Sequence, residues 1–216
     1  EQIASLGSNV MILTTGAPRT SGVRGAAGSG WTINEDDADA IEREVPGIVA
    51  APSLRTNTQL VFGNQNWSSA VYGITADYFE ARSWKAEFGR LLEDTDMQRG
   101  TKVAVLGATV SKQLFGDGDP TDQIVRIKKV PFVVIGVLEK KGQSMQGTDQ
   151  DDAVFVPMST ARSRITGNTQ AAKSKAVQVI WLKAGDGDDL KEAEAEVRAV
   201  LRQRHRLQEG QDDDFY

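Results

Sequence analysis

The sequence predicts an α+β fold with a discontinuous organisation. Two observations predict it. Strand–helix–strand patterns stand at both ends of the 216-residue chain, and a compact, strand-rich block lies between them. If the two ends pair with each other, the middle block is an insertion and the termini lie close together.

The elements follow in order. Asn9 to Thr15 (NVMILTT) is a short apolar run and reads as a buried strand. Gly16 to Gly30 is rich in Gly, Ser, Pro and Ala and reads as a mobile loop. Thr32 and Glu35 have capping-box spacing and open a helix, with Glu35, Asp36 and Asp37 at its positive end. Ala38, Ile41 and Val45 form its apolar face, and Pro46-Gly47 stops it. Ile48 to Phe62 and Trp67 to Ile74 read as the two arms of a hairpin around Gly63-Asn64-Gln65-Asn66. Asp77 to Ala81 reads as one helical turn.

From about Gly89 the pattern changes. Lys102 to Leu106 reads as a strand and Gly107 to Phe115 as a short helix. Gly116-Asp117-Gly118-Asp119-Pro120 is a breaker. In Gln123 to Lys129, Ile124, Arg126 and Lys128 alternate against Val125 and Ile127, as in a half-buried strand. Phe132 to Leu138 is a second, more apolar strand. Glu139 to Asp152 reads as a loop, Val154 to Pro157 as a strand and Ser159 to Ile165 as a short helix. After a polar linker, Asn168 to Lys175, comes the strand Val177 to Lys183, with Trp181 expected in the core. Asp188 to Arg206 is the clearest helix, striped by Leu190, Ala193, Val197, Val200 and Leu201, with Arg202, Arg204, His205 and Arg206 at its negative end.

Composition narrows the chemistry. Lys and Arg number 25 and Asp and Glu 30, giving a net charge of −5, which argues against a duplex nucleic-acid partner. Cysteine is absent, which removes disulfides, thiolate nucleophiles and cysteine-ligated metals together. His205 is the one histidine, so any triad or histidine-ligated metal must run through it. It reads as a solvated helix terminus. Asp149, Asp151 and Asp152 cluster but lack the alternating oxygen spacing of a calcium loop, and read as solvated turns and caps. Gly142 to Gly147 has six-residue glycine spacing but no phosphate-reaching lysine, so it is a flexible loop. Trp67 reads as partly buried against its hairpin. No catalytic or metal residue is assigned. No run approaches a membrane helix, and there is no signal pattern at the start. Both ends look cut, as expected of a domain looped out between two membrane helices.

Several segments carry a resemblance. Phe132 to Leu138 (FVVIGVL), then Gln143-Ser144-Met145, then Val156-Pro157-Met158-Ser159-Thr160-Ala161 resemble the periplasmic core domain of MacB-type ABC transporter permeases. Ile3 to Asn9 looks like that domain's opening, and Gly73 to Phe79 like its glycine-to-Tyr-Phe segment. Gly89-Arg90, Asp96, Val103 to Gly107 and Gln113 to Gly116 follow in the family's order. Arg202 to His205 and Asp214-Phe215 look like its closing helix and strand. Gly16 to Gly30 and Leu207 to Asp212 carry no family signal.

The resemblance implies two subdomains. One is a porter-like βαβ-type subdomain from both chain ends, residues 1–87 and 168–216. The other is an inserted, strand-rich, sabre-like subdomain, residues 88–167. It further implies a periplasmic domain of an inner-membrane transporter that couples cytoplasmic ATP hydrolysis by mechanotransmission to efflux. The implied partners are a periplasmic adaptor and, in Gram-negative members, an outer-membrane channel. The full-length transporter would be a homodimer and the isolated domain a monomer. No cofactor is expected in this domain, since ATP binds elsewhere in the transporter. Gln143, Ser144, Met145, Gln146 and Gly147 are the candidate partner-contact loop, being polar and methionine-bearing. The alternatives are a lipoprotein-releasing permease, a free-standing periplasmic binding module, and a metal-dependent hydrolase built on Asp149 to Asp152.

Overall fold

The computed structural model describes residues 9–14, 19–20, 23–24, 33–144, 147–165, 175–185, 190–206 and 215. In chain order the strands begin with β1 (Val10–Thr14), β2 (Arg19–Thr20), β3 (Val23–Arg24) and β4 (Ile33–Asn34), followed by helix α1 (Glu35–Glu44). Next come β5 (Val49–Phe62), β6 (Gln65–Ile74), α2 (Tyr78–Ala81), β7 (Ala86–Gly89), α3 (Asp94–Arg99), β8 (Val103–Leu106) and α4 (Ala108–Phe115). Then follow β9 (Ile124–Ile127), β10 (Val130–Leu138), β11 (Ala153–Pro157), α5 (Met158–Thr160) and a π-helical turn, Ala161–Ile165. The chain closes with β12 (Ala176–Val177), β13 (Val179–Lys183) and α6 (Leu190–Arg204).

These elements form two compact units, Glu1–Ser53 with Gln170–Tyr216, and Leu54–Thr169. The boundary read from the sequence stood at residues 87 and 88. The inserted unit instead begins at Leu54, because β6 pairs in parallel with β11 from Ala70↔Ala153 to Ile74↔Pro157, which ties the hairpin to the middle block.

In the unit built from both ends, β13 lies between β1 and the first part of β5, antiparallel to both. Helix α1 starts later than Thr32. Ile33 and Asn34 pair with Val177 and Ala176, so the chain stays extended to Asn34, and the cap falls there. Asn34 Oδ1 accepts from the Asp37 N–H at 2.9 Å, and Asp37 accepts from the Asn34 N–H at 3.1 Å. That reciprocal pair satisfies two donors that the first helical turn leaves open. Ala38, Ala40, Ile41 and Val45 are buried. Trp181 is a correction: it is half-buried, and its neighbours Ile180 and Leu182 point the opposite way into the core. Within the Gly16–Gly30 stretch, β2 and β3 form a two-residue antiparallel ladder, and the remainder lies outside the described residues.

The inserted unit is a closed barrel. Its strand circuit runs β5–β6–β11–β8–β10–β9 and returns to β5 through Leu60↔Ile127 and Val61↔Arg126. The pairing is mixed: β6/β11 and β8/β10 are parallel, and β11/β8, β10/β9 and β9/β5 are antiparallel. Inward residues of all six strands make one core, including Leu60, Val71, Leu106, Ile127, Phe132 and Val154. Val110 and Leu114 of α4 and Ile165 of the π-turn join it. Closure leaves few open strand edges. On the outer face, Phe155 is 1% exposed and touches the rings of Tyr72, Tyr78, Phe79 and Trp84 at 5.4–5.5 Å between centroids. Helix α2 and Trp84 thereby cover one flank of the barrel. Strand β7 is placed by pairing with the end of β10, and helix α3 is tied down where the Ser159 hydroxyl donates to the Met97 carbonyl at 2.7 Å.

Candidate functional site

The candidate loop leaves β10 and returns to β11. Its neck is a short antiparallel bridge between Gln143 and Asp149. Ser144 N–H donates to the Thr148 carbonyl at 2.7 Å, and Gly147 N–H to the Ser144 carbonyl at 2.9 Å. Thr148 N–H also donates to Ser144 Oγ at 3.2 Å. Gly147 takes a φ of 80°, the left-handed region that glycine enters without a steric penalty. Gln143 and Gly147 are exposed and Ser144 is half-buried. Met145 and Gln146 lie outside the described residues.

The base of the loop is fixed by the acidic cluster, contrary to the expectation of solvated turns and caps. Asp151 is 1% exposed. Its carboxylate accepts the N–H groups of Lys141 and Gly142, each at 2.8 Å. Asp149 accepts from the Asp151 N–H at 2.9 Å and from the Thr109 hydroxyl at 2.7 Å. Asp152 accepts from Trp67 Nε1 at 2.8 Å and from the Ser69 hydroxyl at 2.9 Å. These carboxylates are therefore turned toward donors of the chain itself. Among the described residues no group of three or more His, Asp or Glu is arranged to hold a metal ion.

A cation clamp holds the same base from the side. Arg82 donates to Gln150 Oε1 at 2.8 Å and to the Tyr78 hydroxyl at 2.7 Å. Its guanidinium lies over the rings of Trp84 and Tyr78, at 5.3 and 5.6 Å from their centroids. Lys141 Nζ stands 4.9 Å from the Trp84 ring. Burial pushes the Tyr78 hydroxyl up to about 12, against the opposing charge of Arg82, so Tyr78 stays a neutral phenol. The arrangement positions a polar loop on a rigid barrel.

His205 is the second correction. It is not solvated: its side chain is 11% exposed, and Nε2 lies 3.0 Å from Asp37 Oδ2. Arg204 Nε lies 2.8 Å from the other oxygen of that carboxylate. The helix end thus turns the Arg204 guanidinium and the His205 ring onto a buried acid of α1. His205 also meets the Phe215 ring edge-on, at 5.8 Å between centroids.

The family model described as the MacB-like periplasmic core domain matches residues 1–200. The chain belongs to this family. The macrolide export ATP-binding/permease protein MacB of Bdellovibrio bacteriovorus is 35% identical over 208 residues, 96% of this chain and 31% of that protein. MacB of Chlorobaculum tepidum is 34% identical over 217 residues, 100% of this chain and 32% of that protein. The chain therefore spans about a third of the length of these curated relatives. The periplasmic region of MacB from Actinobacillus actinomycetemcomitans superposes with a TM-score of 0.77 at 26% identity, covering 98% of this chain and 88% of that one. The extracellular domain of the Gram-positive transporter YknZ shares the fold, with a TM-score of 0.72 at 18% identity over 96% of this chain and 98% of that one. The chain is thus a MacB-like periplasmic core domain, of the kind found in ABC transporter permeases. No helix among the described residues is long and apolar enough to cross a membrane.

Proposed function

We propose that this chain is the periplasmic domain of an inner-membrane ABC efflux transporter, and that it acts mechanically. In this reading, ATP turnover in a cytoplasmic domain moves the membrane helices flanking the chain. The movement is transmitted through the chain to a periplasmic adaptor and, in a Gram-negative cell, an outer-membrane channel. The chain itself contributes no catalytic residue and binds no cofactor. The unit built from both ends is the porter-like subdomain and the barrel is the sabre-like one, with the polar loop at Gln143–Gly147 among the partner contacts.

The observation that carries this reading is the family match over residues 1–200, joined to relatives named as macrolide export ATP-binding/permease proteins. Those relatives extend far beyond the matched region, which leaves room for separate nucleotide-binding and membrane parts. The two-unit division supports it too, because a unit assembled from both ends suits attachment at two neighbouring points.

The reading is tested in a macrolide-susceptible host carrying the intact transporter and its adaptor. Replacing residues 1–216 by a short linker should abolish resistance while the transporter still reaches the membrane. Resistance that survives the replacement would overturn the reading.

A further inference from the structure

Among the described residues, the exposed large hydrophobic side chains are Ile124, at 55% exposure, and Val133, at 38%. They are not scattered. They stand directly opposite each other in the β9/β10 ladder. Isolated surface hydrophobics need no explanation, but an exposed cross-strand pair is a small contiguous apolar patch.

The charge around the pair is one-sided. The β9–β10 hairpin, Ile124 to Leu138, carries Arg126, Lys128 and Lys129 and no Asp or Glu, in a chain whose net charge is −5. Arg126 shares the outward face with Ile124 by strand alternation. Lys102 adjoins Val133, whose N–H donates to the Lys102 carbonyl at 2.9 Å. Among the described residues, Lys102, Arg126 and Lys129 have no carboxylate partner. Lys128 Nζ donates to the Ile165 carbonyl. Asp122 borders the far end, its N–H on the Val134 carbonyl.

The turn joining the two strands breaks a local rule. Lys128 and Lys129 both take positive φ, 49° and 66°. Two-residue hairpin turns of that shape favour Asn-Gly, and a lysine there is strained. The chain keeps two cations at a position where stability alone favours other residues.

We propose that Ile124, Val133 and the cations around them form a docking surface for a protein segment that presents an apolar side chain flanked by carboxylates. This rests on the adaptor reading above, in which the segment belongs to the adaptor. The apolar pair supplies the desolvated centre, and Arg126, Lys129 and Lys102 supply the charged rim that guides and orients the partner.

The test titrates the purified cognate adaptor against the immobilised 216-residue chain at two salt concentrations. The wild type should bind, and less tightly at higher salt. The double variant I124S/V133T, and separately R126E, should each weaken binding about tenfold. K129G relieves a strained φ, so it should weaken binding while the melting temperature holds or rises. Equal binding by wild type and all three variants would overturn this surface and leave the adaptor reading standing. No binding by the wild type would overturn both. Sedimentation of the chain alone and flotation with anionic phosphatidylglycerol vesicles close the remaining routes. A dimer lost in I124S/V133T, or vesicle binding lost in R126E, would assign the patch to a second copy or to lipid and overturn the proposal.

Discussion

Asp37 and His205 stand 168 positions apart in sequence, yet His205 Nε2 lies 3.0 Å from Asp37 Oδ2. Asp37 is 1% exposed and sits in the first turn of α1, while His205 follows the last turn of α6. The first and last helices of the described chain are therefore clasped through one buried carboxylate, which Arg204 also holds.

That clasp has a pH signature. Burial pushes the Asp37 carboxyl up, but hydrogen bonds from His205 and Arg204, the charge of His205 and the Asn34 N–H together outweigh it and leave the carboxyl below its ordinary value. A lowered carboxyl favours folding above the unfolded pKa, about 3.9, and loses that contribution as pH falls through the folded value. Asp37→Asn should therefore cost roughly 1.5–3 kcal/mol at neutral pH. Melting curves of wild type and D37N should stay apart from pH 7 to about 5 and converge below about 4. Curves equally separated at pH 3 would show that the carboxylate charge is not what holds the helices.

Asp151 anchors the candidate loop by accepting two backbone N–H groups. Asp151→Ala strands both donors in a buried site and should cost about 2–3 kcal/mol. Asp151→Asn keeps one acceptor and should cost less. The discriminating measurement is amide hydrogen exchange: Lys141 and Gly142 should exchange faster in D151A, with barrel amides such as Val134 much less affected. Uniform acceleration across the chain would mean that Asp151 supports global stability and not the loop.

Gly107 faces the same residue from the other side. A Cβ there would meet the Asp151 carbonyl oxygen at 2.1 Å and the Ala153 carbonyl oxygen at 2.9 Å. Both contacts are backbone, so neither can swing aside. Gly107→Ala should destabilise by about 1–3 kcal/mol or more through overpacking. Gly118 has nothing within 4 Å of its Cβ position. Gly118→Ala should change stability by no more than about 0.5 kcal/mol. Denaturant titration of the two variants side by side checks the contrast, and equal midpoints would remove the close-approach argument.

Local structure was legible where one segment decides it. The stripe Leu190, Ala193, Val197, Val200 and Leu201 predicted α6; Ala193, Val197 and Leu201 are buried, while Leu190 and Val200 are half-buried. The alternation from Gln123 to Lys129 predicted a half-buried strand, and β9 alternates exposed and buried residues over Ile124–Ile127. The hairpin and its Gly63-Asn64 turn were readable from composition, although Gln65 and Asn66 belong to the strand. What was not legible depends on distant partners. The cap at Asn34 follows from pairing with β12, about 140 residues away, so Thr32 and Glu35 misled by two positions. Barrel closure needs Leu60 beside Ile127. In the candidate site, glycine spacing marked the loop, but nothing local distinguished the buried Asp151 from a solvated acid. A carboxylate flanked by turn residues looks the same in sequence whether it faces water or two backbone amides.

The most direct measurement is the ATP hydrolysis rate of the intact transporter in membranes, with and without its adaptor, before and after residues 1–216 are replaced by a linker. A purely mechanical role predicts that the basal rate persists and that adaptor stimulation disappears. Stimulation that survives the replacement would contradict it.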